Sequence, residues 1–242
     1  IHKFLWRQFN GLIVISQGLK KVLDAQGLSS IVAEDAVDIK EFKEISKATA
    51  RNKLNLDLKK KIIIYTGSLY ERKGVYVLAN AAKKIDDPNV LFLFIGGVNG
   101  NSDVLKMKKY LVKYQITNIN LTGFVSPDLI PLYLSSADIL VLPSSAKGKE
   151  SREYTSPMKL FEYLAAGRPI VATSTPANEE ILNDNNAYLV QPDNPEDLAR
   201  GLKNIINNYP LARKLGINAV IEVKKYTWTK RVDKIIKYIS NI

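Results

Sequence analysis

The sequence predicts an α/β fold: a parallel sheet with helices on both faces, followed by C-terminal helices. Three observations carry this. First, "KIIIYTG", "VLFLFIGG", "DILVLPS" and "PIVAT" are unbroken apolar runs, the pattern of strands covered on both faces. Second, the segments between them place apolar residues at helical spacing. Third, the joints are short and rich in Gly and Pro, so strand and helix alternate along the chain.

The elements read in order. In residues 1–60, "GLIVIS" is a strand and "QGLKKVLDAQG" a helix. "IVAEDAVDIKEFKEI" is a linker with a charged turn or short helix. Residues 1–30 read as the remnant of a preceding domain, 31–60 as linker and 61–242 as the compact domain. The opening Ile1 fits a piece of a longer protein.

Lys61–Gly67 is then a strand stopped by glycine. "VYVLANAAKKI" is a helix with Val75, Leu78, Ala79, Ala82 and Ile85 on one face, ended by "DDPN". "VLFLFIGG" is a strand, "DVLKMKKYLVKY" a basic amphipathic helix and "INLTG" a short strand. "SPDLIPLYLSSA" opens a helix at Ser126 and Pro127. "DILVLPS" is a strand, and Ser144–Ser156 a long polar loop. "PMKLFEYLAAG" is a helix beginning at Pro157 and stopping at Gly167. "PIVAT", "NEEIL" and "AYLV" read as strand, short helix and strand. Everything from Pro195 onward reads as helix.

Composition narrows the chemistry. With 242 residues, 46% hydrophobic and 24% charged, the chain can bury one large core. No run of about 18 apolar residues is free of charge, so no membrane-spanning segment is expected. There is no cysteine, which excludes disulfides, thiolate nucleophiles and cysteine-bound zinc. The one histidine, His2, is at the start, so histidine metal sites and Ser-His-Asp chemistry are not expected; no metal site is assigned. The net charge of +11 favours acidic partners, but the lysines are scattered and charge alone is weak ground for nucleic acid. Lys106, Lys108 and Lys109 could meet a membrane face, although a solvated helix face is the plainer reading.

Right-handed crossovers bring every loop after a strand to one sheet edge, where ligands of such sheets bind. Gly67, Gly96, Gly97, Gly123, Ser144 and Thr173 should gather there. In "GSLYERKGV", Gly67 would let the chain pass close to a ligand. Lys73 would bring a point charge to phosphate, helped by Arg72. The spacing matches neither "GxxxxGK[ST]" nor "GxGxxG", so a salt-laced surface turn is the rival reading. In "YTSPMKLFEYLAAG", Ser156 and Pro157 resemble a helix cap with Pro at the first helical position. The N–H groups of Met158 and Lys159 would face the ligand edge, with the lysine charge reinforcing that positive end. Glu162, one turn further in, could accept bonds from two sugar hydroxyls; a solvent-facing glutamate is the rival. Arg152 and Glu153 read as surface charge before ligand contacts.

Taken in order, these stretches resemble the C-terminal domain of glycosyltransferases with two facing Rossmann-like domains, the GT-B fold. The similar group is the retaining glycosyltransferase family 4, or glycosyl transferases group 1. "VAEDAVDIKEF" looks like its "IPNGVDxxxF" linker, and "YTGSLYERKGV" like its "xxGRLxxxKG" loop. "LFIGG", "LTGFV", "ADILVLPS", "KLFEYLAAGRPIVAT" and "WTKRVDKIIKYI" match the later motifs, so the series covers essentially the whole chain.

The resemblance implies binding of a nucleotide-diphosphate sugar, base unspecified, with no cofactor. Lys73 and Glu162 become the catalytic pair: Lys73 meets the diphosphate with Gly67, Ser68 and Arg72, and Glu162 holds the ribose hydroxyls. Gly97 joins the donor-binding residues, and the backbone near Gly123, Phe124 and Val125 lies by the nucleobase. Backbone around Ser156, Pro157, Met158, Lys159 and Leu160 borders phosphate or sugar. Two departures stand out. Ser68 replaces a frequent arginine, and Tyr154 replaces the first glutamate of "ExxxxxxxE".

The implied reaction is transfer to an acceptor hydroxyl with retention, by front-face attack. The acceptor, a carbohydrate or lipid-linked sugar, is implied to sit on the N-terminal domain. This piece alone would bind donor and transfer little. The implied location is cytoplasmic, or peripheral at the membrane's cytoplasmic face. Self-association through the uncovered "GLIVIS" strand is a further expectation. A nucleotide-sugar epimerase, a non-catalytic nucleotide-sugar sensor and a basic nucleic-acid-binding domain are the rival functions.

Overall fold

The computed structural model describes residues 5–42, 45–97 and 102–241; His2 lies outside them. Strand β1 (Leu12–Val14), helix α1 (Gln17–Asp24) and β2 (Ser30–Val32) form a small unit in which the two strands pair in parallel. Helix α2 (Lys47–Lys53) leads into β3 (Lys61–Thr66). There follow α3 (Val75–Lys83), β4 (Val90–Ile95), α4 (Ser102–Lys113), β5 (Ile119–Gly123), α5 (Ile130–Ser136) and β6 (Ile139–Leu142). Next come α6 (Lys149–Glu153), α7 (Met158–Ala166), β7 (Ile170–Thr173), α8 (Pro176–Glu179) and β8 (Tyr188–Val190). Helices α9 (Pro195–Asn207), α10 (Tyr209–Val223) and α11 (Trp228–Ile239) complete the chain.

Strands β3 to β8 form one parallel sheet in the order β5-β4-β3-β6-β7-β8. The α/β expectation therefore holds, with a Rossmann-like sheet. The unbroken apolar runs have a direct cause. Ile63, Tyr65, Phe92 and Phe94 face one layer, with Leu78 and Ala82 of α3 and Leu198 and Leu202 of α9. Ile62, Ile64, Leu93 and Ile95 face the other, with Leu160, Phe161 and Leu164 of α7 and Ala219 of α10. Successive residues alternate between two cores, so both must be apolar. Chain order reverses beside β3: β4 and β5 extend to one side, β6 to β8 to the other. The crevice outside the carboxyl ends of β3 and β6 is the switch point where such sheets take ligands.

Several local expectations are corrected. The stretch read as linker contains β2 and α2, and Arg51 of α2 is buried against Asp138 at the foot of β6. The backbone pairing that β1 offers β2 has no sequence signal in so short a strand. The polar loop at Ser144–Ser156 includes α6. Ser126 and Pro127 open a 3-10 turn, Pro127–Leu129, ahead of α5. The helix read at "NEEIL" is instead Pro176–Glu179, because Thr175 caps it by accepting the Asn178 amide. Pro157 is the N-cap of α7, not its first turn, and Ser156 does not cap: its hydroxyl accepts the Asp35 amide at 3.2 Å.

The small N-terminal unit is tied to the segment after α8 and to α11 by polar contacts. The Glu180 carboxylate accepts the Gln17 amide at the start of α1, both oxygens at 3.0 Å. Ser29 and Tyr238 of α11 share a hydrogen bond at 3.0 Å.

Candidate functional site

The loop after β3 is built to bring backbone close to something. Gly67 has φ +119° and Gly96 φ +123°, and a Cβ at Gly96 would fall 2.5 Å from the Gly67 carbonyl oxygen. Only residues without a side chain let the β3 and β4 loops approach this way. Gly96 donates its amide to the Gly123 carbonyl at 2.9 Å, which draws in the β5 loop as well. Together they wall a cleft of about 320 Å³ lined by Gly67, Ser68, Gly97, Phe124 and Val125. Tyr70, Asp103 and Ile130 also line it and were not foreseen. Phe124 is 69% exposed, so its ring is available as an apolar platform at the mouth.

Beside this cleft lies a charged group. Glu71–Lys73 makes a 3-10 turn, and Gly74 takes the left-handed conformation that lets α3 start at Val75. Lys73 is half-buried. Burial, then the charge of Arg72, holds its pKa below the ordinary lysine value. Arg72 itself is exposed, its guanidinium 5.6 Å from the Tyr70 ring.

Across the crevice, Met158 and Lys159 head α7, where amide donors have no partner within the helix. The Lys159 ammonium lies 4.0 Å from the centre of the Tyr65 ring, and a Cβ at Gly67 would be 2.7 Å from it. Burial and the charge of Lys73 bring Lys159 down to about 7, against an opposing pull from Glu162. Glu162 is raised, by burial first, with Lys159 opposing and Glu41 adding. Lys159 therefore couples to Lys73 on one side and to Glu162 on the other.

Tyr65 was hidden in the sequence as a core strand residue. Its hydroxyl donates to the Ser68 carbonyl at 2.7 Å and pins the loop. Tyr163 does the same for the strand end: its buried hydroxyl accepts the Thr66 amide at 2.8 Å. Tyr163→Phe leaves that buried N–H unpaired, and we expect a loss of about 1–3 kcal/mol in urea unfolding.

The remaining candidates divide. Gly123 is buried behind the cleft, and Pro157 and exposed Met158 border α7's start. Leu160 is corrected: its side chain is core and its amide already donates to the Pro157 carbonyl at 2.8 Å. Tyr154 turns toward α1, where a Cβ on Gly18 would be 3.1 Å from its ring, with the Lys149 ammonium 5.4 Å over that ring. Arg152 and Glu153 pair with each other at 2.6 Å. Among the described residues no cluster of His, Cys, Asp and Glu could hold a metal ion.

Residues 46–222 match the family model described as glycosyl transferases group 1. The chain belongs to this family. An uncharacterized glycosyltransferase of Methanocaldococcus jannaschii, MJ1178, is 31% identical over 180 residues, 74% of this chain and 48% of that protein. The putative teichuronic acid biosynthesis glycosyltransferase TuaC of Bacillus subtilis is 25% identical over 179 residues, 73% and 41% of the two chains. The chain thus spans about half the length of the curated relatives it matches. Among solved structures, sucrose-phosphate synthase of Thermosynechococcus elongatus superposes with a TM-score of 0.86 at 22% identity, over 99% of this chain and 60% of that one. Anabaena HepE, solved in complex with UDP, gives 0.83 at 20% identity, over 95% and 63%. The family member's fold is that of a GT-B Rossmann-like domain.

Proposed function

We propose that this chain is the donor-binding part of a retaining glycosyltransferase that moves a sugar from a nucleotide-diphosphate sugar to an acceptor hydroxyl. One observation carries the reading: a glycine-walled cleft formed by the loops after β3, β4 and β5 adjoins, at Gly67, the Lys159 ammonium, which interacts with Lys73 and Glu162. The base occupies the cleft against Phe124 and Val125, and Glu162 accepts the ribose hydroxyls. The diphosphate lies between Lys73 and the start of α7, where a cation and free amides oppose the charge that builds on the leaving group. A diphosphate oxygen takes the acceptor proton during front-face attack, so the protein's work is positioning and charge stabilisation. HepE has been solved with UDP and with UDP-glucose, which supports a nucleoside diphosphate in this fold and makes uracil the first base to try.

The acceptor, a carbohydrate or lipid-linked sugar, meets residues of the longer protein, and this chain alone binds donor without transferring it. Calorimetric titration with UDP, GDP and ADP is the test. We expect one nucleotide to bind saturably, and Glu162→Ala to weaken it roughly tenfold or more through lost charged hydrogen bonds. No binding by the folded chain would reject the reading. Retention is tested separately, by the anomeric coupling constant of the product formed by the longer protein; an inverted product would reject it.

A further inference from the structure

A diphosphate carries two negative charges, and the loop after β3 sends one cation inward. Lys73 is half-buried at the crevice, whereas Arg72 is exposed and its guanidinium lies by Tyr70. Lys159 comes from the opposite wall. Its ammonium sits over the Tyr65 ring at 4.0 Å and beside Gly67, whose Cβ, were there one, would lie 2.7 Å away. Resting on the donor-site reading above, we propose that Lys159 is the second diphosphate-binding cation, its charge completed by a proton taken up with the donor.

The surroundings explain why the charge is incomplete beforehand. From β3, Lys159 faces the buried Tyr65 phenol, itself raised by burial and so neutral. From the β3 loop it faces Lys73, with Arg72 beyond. From its own helix it faces Glu162, and Tyr163 is neutral. Glu162 in turn feels Glu41 of the linker. Desolvation and a like charge both disfavour a second ammonium. A diphosphate reverses this balance: it supplies the counter-charge and favours the protonated amine. The proton comes from solvent and no bond to carbon changes. The sign follows. Above about pH 7 the unliganded amine is mostly neutral, so binding consumes close to one proton and affinity falls as pH rises, by up to roughly tenfold per unit. Below that the amine is already charged, so uptake and pH dependence fade.

UDP-glucose is the probe, because its diphosphate diester lacks the monoester group that titrates near about 6. Titration at pH 8 in two buffers of different ionisation enthalpy reads the protons taken up. We expect nearly one for the wild-type chain at pH 8 and close to none at pH 6. Lys159→Arg, charged throughout, should bind with no uptake and flat pH dependence; Lys159→Met should bind more weakly at pH 6, also without uptake. A purely structural lysine would leave uptake unchanged in Lys159→Arg, and that result, or no uptake by the wild type, overturns the proposal alone. Absence of any saturable UDP-glucose binding by the wild type overturns the donor-site reading together with it.

Discussion

Asp138→Ala should destabilise the chain by about 3–5 kcal/mol, the range for breaking a buried ion pair from one side. The carboxylate gathers Lys47, the Arg51 guanidinium at 2.6 Å and the Ile62 amide at 2.7 Å. Arg51 is 2% exposed and also donates to the Ser136 and Lys60 carbonyls at 2.9 and 2.8 Å. Without Asp138 its charge stays buried uncompensated, and the Ile62 amide loses its partner. Lys47 is half-exposed and loses little, because water replaces the pair. Burial would raise the Asp138 pKa, but the bonds from Lys47 and Ile62, with the Lys47 and Arg51 charges, hold it below the ordinary value. The folded pKa is therefore depressed. Its stabilisation is present above the unfolded carboxyl value of about 3.9 and lost as pH falls through the folded value. Urea unfolding of the wild type and Asp138→Asn should differ clearly at pH 7 and converge in acid. A constant difference would contradict this electrostatic account.

Gly74→Ala should cost more than a left-handed glycine usually does. Gly74 sits at φ +74°, and a Cβ there would fall 1.6 Å from the Pro143 carbonyl oxygen at the end of β6. The obstacle is backbone, so relief requires the β3 and β6 loops to separate. Gly27, at φ +68°, has nothing within 4 Å of its Cβ position among the described residues. Gly27→Ala thus measures backbone strain alone, about 1 kcal/mol. Gly74→Ala should lose several times that and also lower nucleotide affinity, because Lys73 rides on the displaced turn. Equal losses for the two variants would show that the switch point is not held closed by this contact.

Much of this was legible in the sequence, for a physical reason. A strand buried on both faces leaves no room for polar letters, so β3, β4, β6 and β7 stand out, and the glycines ending β3 and β4 mark the edge of the proposed donor site. Lys73 and Glu162 could be singled out because charge beside glycine or on an apolar helix is conspicuous. What stayed hidden depends on partners distant in sequence. Tyr65 and Tyr163 look like core residues until their hydroxyls are seen holding Ser68 and Thr66. Arg51 and Asp138 look like surface charge until α2 folds under β6. Ser156 offers every sign of a helix cap, yet the Asp35 amide takes its oxygen, a competitor that local sequence does not announce.

On the proposed reading, donor binds at the carboxyl edge of the sheet, between Gly67–Gly74 and the start of α7. The molecule offers a larger alternative. A groove of about 1050 Å³ lies at the opposite edge, lined by Arg168, Tyr209, Arg213, Ile217 and Ile221 among others. Size favours that groove; glycine-walled backbone, two converging lysines and helix amides favour the smaller cleft. Amide chemical-shift mapping of the labelled chain during titration with UDP decides between them. Donor binding at the carboxyl edge should give saturable shifts at Gly67–Gly74, Gly96, Gly97, Gly123–Val125, Met158 and Lys159, abolished in Lys73→Ala. Shifts confined to Ala165–Arg168 and Leu211–Ile221 would contradict it.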